Sequence, residues 1–463
     1  MKKKESERVK RDILNRFAKI TKQAKKYDAR AKKRLPGGET RNASYYKPYA
    51  AYMERGKGCQ LYDCDGNKYI DFLNNYTSLI HGHAHPDIVK AAQEQLKKGT
   101  ALCSPAMITY EHADLLCSRI PSVDMVRYCN SGTEATLFAI RAARAYTKKD
   151  MIIKMDGGYH GSHDLVEVNI IPGQRSKGIP EKHFEGPGIP KSTMRDVLVS
   201  PFNNLNALET LLKKYQGKVA GIILEPMIGS LGMIPPQPGY LKGVRKLCDK
   251  YKVILIFDEV ITFRLSPGGF QAIADVEPDL TAMAKIIGGG FPVGAFGGKK
   301  EIMEPFDPTF PDGSRRMGHS GTFNGNNITM AAGLAALKAY NKAAVNRVNK
   351  LGDRLRSGFN EAFNTVGIKG HCTGLGSLTQ VHWTDRKIIS AKDSFQGMIS
   401  AQDIPGLSHL DMMTRGIFSA PRGMYITSTP MTNKEIDKAV KAFTSSLETL
   451  KPYVAEVAPD LIA

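Results

Sequence analysis

The chain has 463 residues, 42% hydrophobic and 24% charged, a globular balance that excludes a disordered or fibrous protein and allows a large core with a second domain. No run reaches the roughly eighteen uninterrupted apolar residues of a bilayer span, so a cytoplasmic protein without a membrane partner is expected. The formal charge of +20 raises nucleic acid as a partner, but residues 1–34 alone hold fifteen Lys or Arg against four Asp or Glu, and no nucleic-acid partner is expected of the remainder.

That basic N-terminal stretch places Val9, Ile13, Phe17 and Ile20 at helical spacing. It predicts an amphipathic helix over 1–35, docked by its apolar stripe and ending before Pro36-Gly37-Gly38. Residues 59–73, CQLYDCDGNKYIDFL, predict a hairpin turning at Asp65-Gly66. From about 125 to 300, the runs MVRYCN, MIIKMD, VLVSPFN, VAGIILEP and VILIFDEV alternate with helical stretches. Apolar on both faces, they predict central strands of a mostly parallel sheet covered by helices, with a ligand at the carboxyl ends of the strands. Beyond Asn346, helices at about 346–363 and 434–450 flank short strands and suggest a smaller domain. The seven cysteines are odd in number and contain no C-x-x-C pair, so core thiols are expected rather than disulfides or a metal site.

Three strand ends carry chemistry. After MVRYC, the small-residue stretch Asn130-Ser131-Gly132-Thr133 opens onto the helical pattern TLFAIRAARAYT. It reads equally as an ordinary N-cap or as a phosphate seat made of free N–H groups, two hydroxyls and the positive end of the helix dipole. VILIFDEV delivers Asp258 at the end of the most apolar strand, where a carboxylate wants a cation such as a protonated pyridine nitrogen, or serves as a cap or a metal ligand with Glu259. Lys285 follows 27 residues later within LTAMAKIIGGGFPVGAFGG, an apolar run in which a lysine is either a snorkelling edge residue or a reactive amine. Phosphate seat, carboxylate and desolvated lysine together describe a pyridoxal phosphate pocket.

Nine motifs in order then carry a resemblance: PGGETR, the hairpin, GHAHP at 82–86, NSGTEA, GGYHGSHD at 157–164, LEP at 224–226, DEV at 258–260, AMAKIIGGGFPVGA and GHSGTFNGNN at 318–327. From Pro36 onward the chain resembles the class III aminotransferases of pyridoxal-phosphate fold type I, in the branch of the glutamate-1-semialdehyde aminomutases and, most of all, the β-phenylalanine aminotransferases. The resemblance implies an α/β large domain over 96–345 and a smaller α/β domain from both chain ends, 36–95 and 346–463. It implies that Lys285 is the cofactor-linking lysine, Asp258 the partner of the pyridine nitrogen, Ser131, Gly132 and Thr133 the phosphate cup, and Tyr159 the ring that stacks on the cofactor. Glu225 lies near the cofactor in such proteins. Thr322 matches the threonine that reaches the phosphate of a neighbouring subunit, which implies a homodimer with shared sites.

Two arginines bear on the substrate. Arg41 ends PGGETR, and Arg422 sits in FSAPRGMYI, where the aminomutases carry an acidic residue and this chain does not. Both match carboxylate-binding positions of the β-phenylalanine aminotransferases, a role suited to a bidentate donor, although each is also free to pair with a surface carboxylate. The expectation is ping-pong transamination of a β-amino acid with 2-oxoglutarate as acceptor. A glutamate-1-semialdehyde aminomutase-type isomerase is the alternative.

Overall fold

A computed structural model describes residues 3–173, 175–176 and 178–463. Its centre is a seven-stranded sheet in the order Met125–Cys129, Gly294–Gly298, Leu280–Ala284, Ile254–Asp258, Val219–Leu224, Met151–Met155 and Val197–Ser200. All neighbours run parallel except Gly294–Gly298, which is antiparallel to both of its partners. The five runs read as strands are all in this sheet. Every residue of Ile254–Asp258, Val219–Leu224 and Leu280–Ala284 is buried, as helices on both faces require.

Register brings the strand ends to one edge. Gly294 pairs with both Cys129 and Ala284, Ala282 pairs with Asp258, and Phe257 pairs with Leu224. The residues that follow, Ser131, Lys285 and Glu225, therefore emerge side by side with Asp258. Position 294 must be glycine for this closeness, because a Cβ there would stand 2.0 Å from the Ser131 carbonyl oxygen.

The predicted hairpin forms as Gln60–Asp63 against Lys68–Asp71, with Gly66 in the left-handed region at φ +84°. Ile417–Phe418 adds to Lys68–Asp71 in parallel, joining the two ends of the chain in one four-stranded sheet. The C-terminal helices are longer than expected, Lys342–Val366 and Asn433–Val457, and pack on each other.

The N-terminal helix differs from its expectation. Met1 and Lys2 lie outside the described residues, and the rest forms two helices, Lys3–Ile20 and Lys22–Ala31, broken at Thr21. Thr21 Oγ1 donates to the Phe17 carbonyl at 2.6 Å, while the Asp65 carboxylate of the hairpin accepts from the N–H groups of Gln23 and Ala24 at 2.6 and 2.9 Å. A side-chain cap from elsewhere in the chain thus starts a new helix within the predicted one. Val9, Ile13 and Phe17 are buried as expected, against the helices Ile404–Thr414 and Asn433–Val457, with Ile20 only partly covered. Of the cysteines, Cys103 is exposed rather than a core thiol, and all seven are unpaired.

Candidate active site

A cavity of about 580 Å³ opens along the carboxyl edge of the sheet and is lined by Ser131, Gly132, Thr133, Tyr159, Glu225, Asp258 and Lys285, with Arg41 on one wall. Ser131 caps the helix Gly132–Thr147, its hydroxyl accepting from Glu134 N at 3.2 Å. Cap and phosphate seat are compatible here, because the first N–H groups of a helix have no carbonyl within it to bond. Thr133 Oγ1 accepts from Ser162 N at 3.2 Å and fixes the loop that bears Tyr159 against this helix end.

Asp258 is buried, with Oδ1 accepting from Val260 N at 3.1 Å and Oδ2 facing His160 Nδ1 at 2.9 Å. Burial lowers the His160 pKa, so the ring is the neutral tautomer with its proton on Nδ1, donated to Asp258. Its Nε2 is buried without a partner. The alternative of Asp258 and Glu259 as metal ligands fails on geometry. Glu259 is turned into the following segment, where it accepts from Phe270 N at 2.7 Å, Gln271 N at 2.9 Å and Thr262 Oγ1 at 2.8 Å.

Glu225 accepts from Tyr159 N at 3.1 Å and Gly229 N at 2.9 Å. Burial, aided by the charge of Asp258, pushes its pKa up to about 8 despite these bonds. Lys285 follows its strand directly and is held at φ +54°, a conformation unfavourable to a residue with a Cβ. Burial lowers its amine to about 8, against the opposing pull of Asp258 and Glu225. Tyr159 exposes 41% of its surface at the cavity.

Arg41 is exposed, donates from Nη1 to Asn75 Oδ1 at 2.9 Å, and stands 5.9 Å from the centroid of the Tyr76 ring. Arg422 is not among the cavity residues, but its charge and that of Arg41 both oppose the upward push of burial on the Tyr76 hydroxyl. Its neighbours Phe418 and Pro421 line an adjoining cavity of about 330 Å³ that shares Arg41, Asn75 and Tyr76. Thr322 is exposed and is not among the residues that line the cavity of its own chain.

Three residues of the site escape a reading by motif. His160 stands in GGYHGSHD, but the cationic partner expected of Asp258 does not point to a neutral ring. Asn75 and Tyr76 carry no signal beyond their nearness to PGGETR in space.

The residues fit pyridoxal phosphate: a helix N-terminus with two hydroxyls, a buried carboxylate held by a neutral histidine, and a depressed lysine surround one cavity of sufficient size. A family model described as class III aminotransferase matches residues 42–407. The glutamate-1-semialdehyde 2,1-aminomutase of Methanosphaera stadtmanae is 38% identical over 419 residues, which cover 90% of this chain and 96% of that protein. Among solved structures, an omega-transaminase from Sphaerobacter thermophilus superimposes with a TM-score of 0.88 at 42% identity, covering 92% of this chain and 98% of that one. A β-phenylalanine aminotransferase from Variovorax paradoxus gives a TM-score of 0.85 at 32% identity, covering 95% and 97%.

Proposed function

The chain belongs to the class III aminotransferases, pyridoxal-phosphate enzymes of fold type I, and from that premise we propose that it moves the amino group of a β-amino acid to a keto acid. The observation that carries the substrate reading is a pair of arginines, Arg41 on the cavity wall and Arg422 beside the adjoining cavity, in a stretch 418–426 that has no carboxylate. The likeness to an omega-transaminase and a β-phenylalanine aminotransferase supports it. A second reading, isomerisation of glutamate-1-semialdehyde, has its own support, and the names of the curated relatives favour it over transamination of a β-amino acid.

When bound, the cofactor supplies an aldehyde that takes the amino group and a protonated ring that draws electrons from the carbon bearing it. The helix end at Ser131, Gly132 and Thr133 would hold the phosphate. Asp258, oriented by His160, would keep a proton on the ring nitrogen, and Tyr159 would offer its ring for stacking. Glu225, with its carboxyl at about 8, keeps its own proton near neutrality and adds no second negative charge beside Asp258. Lys285 Nζ would remove the proton from the substrate carbon that bears nitrogen. Arg41 receives the substrate carboxylate as a bidentate donor, and Arg422 a second carboxylate in a dicarboxylic acceptor. A homodimer with shared sites, a cytoplasmic location and 2-oxoglutarate as acceptor belong to the same proposal.

The test is spectral. Cofactor absorbance of the purified holoenzyme is expected to bleach with β-phenylalanine and to return with 2-oxoglutarate. Conversion of glutamate-1-semialdehyde without any added acceptor, with no response to β-phenylalanine, would replace this reading by the isomerase.

A further inference from the structure

Arg264 is wholly buried at 0% exposure, and among the described residues no carboxylate forms an ion pair with it. Burial alone lowers its guanidinium to about 10. A cation buried without a counter-charge is costly, and this one is satisfied entirely by neutral oxygens. Its Nε donates to Ser377 Oγ at 3.0 Å, Nη1 to the Thr77 carbonyl at 3.2 Å, and Nη2 to the Thr427 carbonyl. Its own backbone is fixed, because Glu259 pins the preceding segment and Tyr340 Oη donates to the Arg264 carbonyl at 2.7 Å.

The Thr77 end of this arrangement is strained. Asn74, Asn75, Tyr76 and Thr77 have φ of +50°, +47°, +54° and +78°, a turn of left-handed backbone without a single glycine. Asparagine tolerates that region, whereas an aromatic and a β-branched residue do not, so something outside the turn must hold it. Asp71 Oδ1 holds the front, accepting from Leu73 N at 2.8 Å and Asn74 N at 2.9 Å. The Arg264 guanidinium holds the back. Between the two anchors, Asn75 and Tyr76 project to the cavity and to Arg41. Thr77 gains nothing from its own side chain, whose hydroxyl is buried without a partner.

We propose that Arg264 is a positioning residue for substrate recognition: it clamps the left-handed turn Asn74–Thr77 and thereby holds Asn75 and Tyr76 beneath the guanidinium of Arg41. The clamp rests on the reading of Arg41 as a carboxylate partner, and it serves a β-amino acid and glutamate-1-semialdehyde alike, since both carry that group.

Arg264→Lys in the full-length holoenzyme keeps the cation but offers one nitrogen to three segments. Calorimetric binding of 3-phenylpropionate, and of its neutral amide, reads recognition without turnover. Wild type is expected to favour the carboxylate by roughly tenfold or more, and Arg264→Lys to lose most of that preference while binding the amide within about twofold of wild type. The double variant Arg264→Lys with Thr77→Gly is expected to regain about fivefold of the lost affinity, because glycine adopts the left-handed turn without the clamp. That recovery separates positioning from a general packing defect and covers a single variant that folds poorly. A wild type that prefers the carboxylate together with an Arg264→Lys that keeps the preference overturns the clamp alone, as does lost preference that glycine fails to restore. A wild type with no preference overturns the carboxylate reading of Arg41 and the clamp with it.

Discussion

Lys285 combines a left-handed backbone with an amine that burial lowers to about 8, so both its position and its protonation are held by the surrounding fold. In the role proposed for Lys285, the neutral amine is the nucleophile that captures the cofactor aldehyde. Capture by the apoenzyme should therefore accelerate as pH rises toward about 8 and level off above it, measured by stopped-flow absorbance. Lys285→Ala should lower turnover by roughly a thousandfold or more while a folded protein still binds the cofactor weakly. Wild-type rates would show that another group does this work. Behind Asp258, His160 donates the one side-chain hydrogen bond among the described residues that orients the carboxylate, and a hydrogen bond to a charged group is worth about 1.5–3 kcal/mol. His160→Ala should then reduce kcat by about tenfold to a hundredfold, with little change in KM for either substrate. An altered KM at constant kcat would place His160 in substrate binding instead. The demand of Asp258 for a partner was readable from its place at the end of an apolar strand. That the partner's nearest member is His160 was not, because a loop far along the chain must fold back to bring the ring there.

The elements that were legible share one property, a local pattern strong enough to survive tertiary context. Five runs of β-branched and aliphatic residues became five strands of the central sheet, and CDGN became the hairpin turn. Two strands of the same sheet, Leu280–Ala284 and Gly294–Gly298, carried no such signal of their own. GAFGG has poor strand propensity, and it is a strand only because neighbours on both sides approach too closely for a Cβ. The left-handed turn at Asn74–Thr77 was illegible for the opposite reason, since two of its residue types argue against the conformation they adopt. The break at Thr21 lies between these cases: the apolar stripe continues through it, and the hairpin sets the break, with Asn67 Nδ2 donating to the Ile20 carbonyl at 2.6 Å and the Asp65 carboxylate capping the next helix. Asp65→Ala removes both N–H acceptors from Lys22–Ala31. It should lower stability to urea by about 1 kcal/mol and leave kcat unchanged, since no residue of the helix lines the cavity. A loss of activity at unchanged stability would mean that the N-terminal pair of helices takes part in the site.

At the scale of the whole molecule, the predicted site residue that bears on assembly is Thr322. Thr322 is exposed and does not line the cavity of its own chain, and Phe323 beside it leaves 61% of its surface to solvent. If Thr322 completes the phosphate seat of a second copy, the two halves of one site come from different chains, and a mixed dimer can tell the difference. Pair Lys285→Ala in one subunit with Thr322→Ala in the other. In the shared arrangement one site receives both substitutions and is dead, while the other receives neither and should work with wild-type cofactor affinity, giving about half the wild-type activity per dimer. Were Thr322 to act within its own chain, every site would carry one substitution, and the surviving site would bind the cofactor about tenfold more weakly, the cost of one lost hydrogen bond to a charged phosphate. Cofactor titration of the purified heterodimer, followed by absorbance at limiting pyridoxal phosphate, separates the two outcomes, and a protein that sediments only as a monomer would remove the shared site altogether.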